Sequence, residues 1–187
     1  ELLELAKANK CNYLFEASCG GGIPIIRPLR TSLSPEKIVA IKGILNGTTN
    51  YILTKMEQEG ADFDAVLKDA QALGYAEANP EADVEGHDAC RKISILSSLG
   101  FGKTVDYKEV YTEGITKITS VDFAYARKLG MSIKLLGRCK MMNDKVFAMV
   151  SPCMVDSTHP LFMVNDVFNG ILVRGNMLGD AMFYGAG

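Results

Sequence analysis

The sequence predicts an α+β domain, a mixed or antiparallel sheet covered by helices on one face. Helices are mixed with strands first and mostly consecutive strands follow, an order that builds segregated helix and sheet layers. No G-x-G-x-x-G follows a candidate strand, which disfavours a doubly wound nucleotide fold within these residues. The length of 187 residues, 48% of them hydrophobic, is enough to bury a real core without disulfides or structural metal.

The elements follow in order. Glu1 to Lys7 reads as the back half of an amphipathic helix with no N-cap before it. Tyr13 to Ala17, aromatic and aliphatic between polar residues and glycines, suggests a buried strand, and Gly20-Gly21-Gly22 a tight loop. Pro24 opens a short helix toward Leu33 that Pro28 weakens. Lys37 to Asn46 is a strand. Asn46-Gly47-Thr48-Thr49 turns the chain into a helix that runs to Glu59 and ends at Gly60, and a second helix from Phe63 to Leu73 ends the same way at Gly74.

Tyr75 to Gly86, acidic and broken by Asn79-Pro80, reads as an ordered loop. Asp88 to Leu99 is helical. Tyr107 to Ile118, rich in β-branched and aromatic residues, reads as one strand or two, and Val121 to Leu129 as a helix closed by Gly130. Ile133 to Met142 and Val146 to Val155, joined at Asn143-Asp144, form a hairpin; Ile171 to Arg174 and Ala181 to Tyr184 add two strands.

Composition excludes several functions. With 20 Lys and Arg against 22 Asp and Glu, the net charge of −2 lacks the basic excess of a nucleic-acid binder. No apolar run approaches the roughly 20 residues that cross a bilayer. Five scattered cysteines without a C-x-x-C pair, and only two histidines, speak for a reduced, cytoplasmic setting and against a zinc site. His87 lies near Cys90, but nothing marks that thiol as activated, and His159 reads as a loop residue.

The chemistry concentrates around Asp88 to Leu99. On a helix, Ala89, Ile93, Ile95, Leu96 and Leu99 make an apolar stripe from which Lys92 projects, with Asp88 one turn earlier. Such a pair suits proton shuttling; equally, Lys92 can lay its stem over the core and pair with Asp88 on the surface. Glu77, Glu81, Asp83 and Glu85 beside Pro80 suit recognition of an ammonium group, or form a solvated acidic turn. Gly20 to Gly22 could offer carbonyls to a small cation, offer amides to an anion, or simply connect. Asn46 to Thr49 could offer amides and a hydroxyl to a carboxylate, although capping by Thr48 or Thr49 is the commoner use.

Taken together, Ala70-x-x-x-Gly74-Tyr75-Ala76-x-x-Asn79-Pro80-x-x-Asp83-Val84-x-Gly86-x-Asp88-x-x-x-Lys92 resembles the signature of the homoserine dehydrogenase family. Phe15 to Ile26 and Gly43 to Ile52 resemble the same family, and Gly185-Ala186-Gly187 resembles the start of its glycine-rich return to the cofactor domain. The resemblance implies NAD(P)-dependent interconversion of L-aspartate 4-semialdehyde and L-homoserine, on the route to threonine, methionine and isoleucine. It implies Lys92 as proton donor, Glu77 and Asp88 as substrate-binding acids, and Asp83, Tyr75 and Thr48 close to the substrate. It further implies Gly74, Gly185 and Gly187 at the cofactor, and a sodium ion held by Glu16, Cys19, Gly21 and Ile23, mainly through backbone oxygens.

Two departures stand out. Cys19 replaces a usual Val, which is tolerable if only its carbonyl binds the ion. The nucleotide-binding half is missing, and Ala8-Asn9-Lys10 does not stand in for its lysine segment, because Lys10 follows the opening helix at the wrong distance from Glu16. Both ends look cut, so residues 1–187 read as a substrate-binding, catalytic and dimerisation domain whose last strands pair or pack in a homodimer. The alternatives are half of another semialdehyde dehydrogenase, which needs an acylatable cysteine and a histidine base, and an oligomerisation module without catalysis.

Overall fold

The computed structural model describes Leu2–Gly187; Glu1, assigned by sequence to the opening helix, lies outside the described residues. The chain runs α1 (Leu2–Ala8), α2 (Ile26–Arg30), β1 (Ile38–Ile44), α3 (Gly47–Glu59), α4 (Phe63–Ala72), α5 (Glu81–Val84) and α6 (His87–Phe101). It continues β2 (Tyr111–Thr112), α7 (Ser120–Lys128), β3 (Met131–Met142), β4 (Lys145–Asp156), β5 (Phe168–Gly175) and β6 (Asp180–Ala186). The helix stops follow from glycine: Gly60, Gly74, Gly102 and Gly130 all take the left-handed conformation that releases the chain from a helix. Asn143 and Asp144, both at positive φ, make the tight turn of the β3–β4 hairpin.

Among the described residues the strands form one mixed sheet in the order β2-β4-β3-β1-β5-β6. Only β2–β4 is parallel; β4–β3, β3–β1, β1–β5 and β5–β6 are antiparallel. Strand alternation sends Ile41, Leu135, Cys139, Val150, Ile171 and Val173 into a core shared with Ile52, Leu53, Met56, Ile93 and Leu96 of α3 and α6. The layers meet closely at Gly137, where a Cβ would lie 3.2 Å from that of Ile93. On the other face, Leu161 and Val164 of the segment between β4 and β5 cover Ile44, Leu136 and Val155. Beyond that cover Tyr111, Phe147, Met182 and Tyr184 remain exposed.

Three expectations are corrected. Tyr13 to Ala17 forms no strand; Glu16–Ser18 is a 3-10 turn. An apolar run becomes a strand only with a ladder partner, and here the Glu16 carboxylate instead accepts from Ile25 N, Ile26 N and Arg27 N at 2.7, 2.7 and 2.8 Å, capping α2. Tyr107 to Ile118 supplies only a 3-10 turn at Tyr107–Glu109 and the two residues of β2, because Ile115 N donates to Val84 O instead of to a strand. The acidic loop carries one helical turn, α5.

Lys134 of β3 is wholly buried. Its ammonium donates to Val164 O at 2.8 Å and Asn165 Oδ1 at 2.7 Å, tying the β4–β5 segment to the sheet. Burial pulls its pKa down to about 8, against the charges of Glu57 and Asp166. Between that value and the ordinary 10.5 the unfolded chain binds more protons at this site than the folded one, so its contribution to stability rises with pH. A Lys134→Met variant lacks this term. The melting temperature of the parent minus that of the variant should therefore increase by several degrees between pH 7.5 and pH 10, measured by thermal denaturation in paired buffers.

Candidate functional site

The site is built on the junction of β1 and α3. Buried Leu45 and Asn46 leave the sheet, and Asn46 caps α3: its Oδ1 accepts from Thr49 N at 2.9 Å and Thr49 Oγ1 at 3.0 Å. Its Nδ2 donates to Asp83 Oδ1 at 2.8 Å and to Asp88 Oδ2 at 3.0 Å. The junction cannot retreat, because a Cβ on Gly47 would lie 2.8 Å from Val167 O.

Helix α6 brings the second half. It starts after Gly86, left-handed at φ 81°, and places Asp88 in its first turn, where the helix dipole favours a carboxylate. One turn later Lys92 Nζ lies 2.7 Å from Asp88 Oδ2 and donates to Leu45 O at 3.0 Å. An ammonium has three N–H donors, so one remains for a ligand. The buried stripe of α6 runs through Ala89, Cys90, Ile93, Ser94, Leu96 and Ser97, with Lys92 at its border; Ile95 and Leu99, expected within it, are only half-buried.

The acidic loop folds against this pair. Half-buried Asp83 has its pKa raised by burial, opposed by the hydrogen bond from Asn46, and raised further by the charge of Asp88; Lys92 lowers it and Glu77 raises it. Thr48 Oγ1 donates to Tyr75 O at 2.6 Å, and the Tyr75 ring tilts against Tyr51 at 5.0 Å between centroids. Gln71 Nε2 donates to Glu77 O at 3.0 Å, while Glu77 itself is exposed. Gly74 is left-handed, with open space where a side chain would stand.

A second cluster lies behind α6. The Cys19 thiol donates to Lys92 O at 3.6 Å; burial pushes its pKa up to about 12. Gly20 and Gly21 are left-handed, and a Cβ on Gly21 would lie 2.5 Å from the carbonyl carbon of Gly187. Gly185 packs on Ile23. Among the described residues the carbonyls of Cys19, Gly21 and Ile23 accept no backbone or side-chain hydrogen bond, and no group of three His, Cys, Asp or Glu is placed to hold a metal. A hard monovalent cation with oxygen ligands fits such a donor set. Among the described residues no cysteine is hydrogen-bonded to a histidine base: Cys19, Cys90 and Cys139 are buried, burial pushing Cys139 up to about 11, while Cys153 is half-buried and Cys11 exposed.

The structure thus brings Asp83, Asp88 and Lys92 together, joins Thr48 to Tyr75, and collects Glu16, Cys19, Gly21, Ile23, Gly185 and Gly187 in a second cluster that meets the first where the Cys19 thiol donates to Lys92 O. Asn46 is the residue that sequence reasoning undervalued. The cap expected at Thr48 or Thr49 is Asn46, and the legible signal was a strongly capping residue three positions before Thr49. The role of the Leu45 carbonyl has no sequence signal.

Residues 24–187 match the family model for homoserine dehydrogenase. The chain is 52% identical over 191 aligned positions to a homoserine dehydrogenase of Synechocystis, with all of this chain and 44% of that protein covered. The chain belongs to the homoserine dehydrogenase family. The crystal structure of a homoserine dehydrogenase from Thiobacillus denitrificans superposes with a TM-score of 0.97 at 42% identity, over all of this chain and 43% of that one. A hyperthermophilic archaeal homoserine dehydrogenase mutant, solved in complex with NADPH, superposes at 0.82 with 32% identity, over all of this chain and 53% of that one. The chain therefore spans somewhat less than half the length of the homoserine dehydrogenase from Synechocystis.

Proposed function

We propose that this chain is the substrate-binding and proton-transferring part of a homoserine dehydrogenase, interconverting L-aspartate 4-semialdehyde and L-homoserine. The observation that carries this reading is the Lys92 ammonium, fixed on Asp88 and the Leu45 carbonyl with one donor to spare. The nicotinamide cofactor, when bound, would supply the redox chemistry, NAD(P)H giving a hydride in one direction and NAD(P)+ accepting it in the other. As the carbonyl carbon gains the hydride, negative charge develops on its oxygen, and Lys92 neutralises it by donating a proton. In the other direction neutral Lys92 accepts the hydroxyl proton. Asp88 holds the lysine in place and, with Glu77 and Asp83, gives the substrate ammonium an anionic wall; Thr48 and Tyr75 close the loop over it.

Gly74, open on its Cβ side, suits close approach of a dinucleotide, whereas Gly185 and Gly187, whose Cβ sides face Ile23 and Asn169, are assigned to the cofactor by the family resemblance alone. A sodium ion fits the unengaged carbonyls of Cys19, Gly21 and Ile23, with Glu16 contributing its backbone oxygen because its carboxylate caps α2. In this reading its part would be to fix the loop behind α6, and the thiol that replaces Val is engaged with Lys92 O. The exposed apolar residues on the sheet face support a homodimer through that face. The whole protein works in the cytoplasm, on the route to threonine, methionine and isoleucine.

The test is turnover by the full-length protein: L-homoserine should support reduction of NAD+ or NADP+, and L-serine should not. Absence of L-homoserine-dependent reduction with both nucleotides overturns the reading.

A further inference from the structure

The pair Asp88 and Lys92 does not stand alone; two adjacent residues outside α6 hold it. Leu45 accepts from the lysine through its carbonyl, and Asn46 donates to the aspartate through its side chain. Asn46 is buried, and every hydrogen-bonding atom of its amide is used: Oδ1 by Thr49, and Nδ2 by Asp83 and Asp88. That set of partners fixes which way the amide faces, because a flipped amide would turn its oxygen toward two carboxylates. The two acids come from different elements, α5 and α6, and Asn46 is the neutral group between them.

We infer that Asn46 is the positioning residue of the site: its amide clamps the Asp83 and Asp88 carboxylates at a fixed separation and so sets where the Lys92 ammonium points. It deepens the proposed function, on which its kinetic consequence rests. A helix cap alone would need only an acceptor toward Thr49. The two donations to carboxylates add nothing to capping, and they occur where an ion pair must be held in register. The Gly47 backbone pressed on Val167 O gives the clamp a support that does not yield.

Two substitutions separate clamp from cap. Asn46→Ser keeps an oxygen for Thr49 N and removes the two-donor amide, leaving a single, shorter hydroxyl donor that cannot bridge both carboxylates; Asn46→Asp keeps the cap and replaces the donors by a third carboxylate. In the full-length protein Asn46→Ser should lower kcat for L-homoserine oxidation by about 10²-fold, the scale of a small misplacement of a reacting group, with a melting temperature close to that of the parent. Asn46→Asp should lose more activity than Asn46→Ser at pH 8. Carbon-13 NMR of the carboxyls supplies a reading that needs no turnover. The Asp83 titration should move to higher pH in Asn46→Ser, because the hydrogen bond that favours its ionised form is gone. If the parent protein fails to turn over L-homoserine but the Asp83 titration moves, the function is wrong and the clamp stands. An unmoved titration, unchanged kcat in Asn46→Ser, or a loss of activity that only tracks a fall in melting temperature overturns the clamp.

Discussion

Lys92→Met in the full-length protein should lower kcat by about 10²- to 10⁴-fold, the range that a positioned acid–base group contributes, while the melting temperature changes by no more than a few degrees. Met keeps most of the aliphatic stem that lies at the border of the α6 stripe, so the core below, Ile93 and Leu96, stays packed. The loss is confined to the ammonium. Asp88 keeps the Asn46 donor at 3.0 Å, and the Leu45 carbonyl loses its partner. Steady-state kinetics with L-homoserine, together with a thermal melt, checks both halves. Near-parental kcat removes Lys92 from the chemistry, and a collapse of folding makes it a structural lysine.

The second large effect is expected at Gly114, outside every motif of the sequence. A Cβ there would run into Val84 O and lie 2.5 Å from Glu85 Cα, both backbone atoms. The approach is held by Ile115 N, which donates to Val84 O at 2.8 Å. Neither chain can give locally, so Gly114→Ala must push the Val84–Gly86 turn outward. Overpacking of this kind costs about 1–3 kcal/mol, which lowers the melting temperature of a domain this size by roughly 2–12 °C. The same turn connects Asp83 to Asp88, so KM for L-homoserine should rise several-fold in the protein that still folds. Gly60→Ala is the control. Its φ of 67° strains a side chain but the space around it is open, so it should cost only about 1 kcal/mol and leave KM unchanged.

Local rules made much of this fold legible. The helices ending at Gly60, Gly74 and Gly130, and the hairpin turning at Asn143-Asp144, follow from residues that tolerate positive φ, and each takes it in the structure. The misread segments depend on partners that local pattern does not supply. Tyr13 to Ala17 has the composition of a strand but no neighbour to pair with, and Tyr107 to Ile118 is claimed by the α5–α6 turn through Ile115. Lys134, an ordinary charge in the sequence, is buried because the β4–β5 segment folds over it.

At the site, the i to i+4 spacing of Asp88 and Lys92 is a helical relation and was readable as such. Their contacts with Leu45 and Asn46 join positions far apart in sequence, created only when β1 and α6 pack against each other. The contact of the Cys19 thiol with the Lys92 carbonyl likewise joins positions far apart in sequence.

The measurement closest to the central claim is a crystal structure of the full-length protein with L-homoserine bound. The substrate hydroxyl should lie within hydrogen-bond distance of Lys92 Nζ, with Asp88 and Leu45 still holding that nitrogen, and the substrate ammonium against Glu77 and Asp83. L-Homoserine bound away from the acidic loop, or bound there with its hydroxyl out of reach of Lys92, contradicts it.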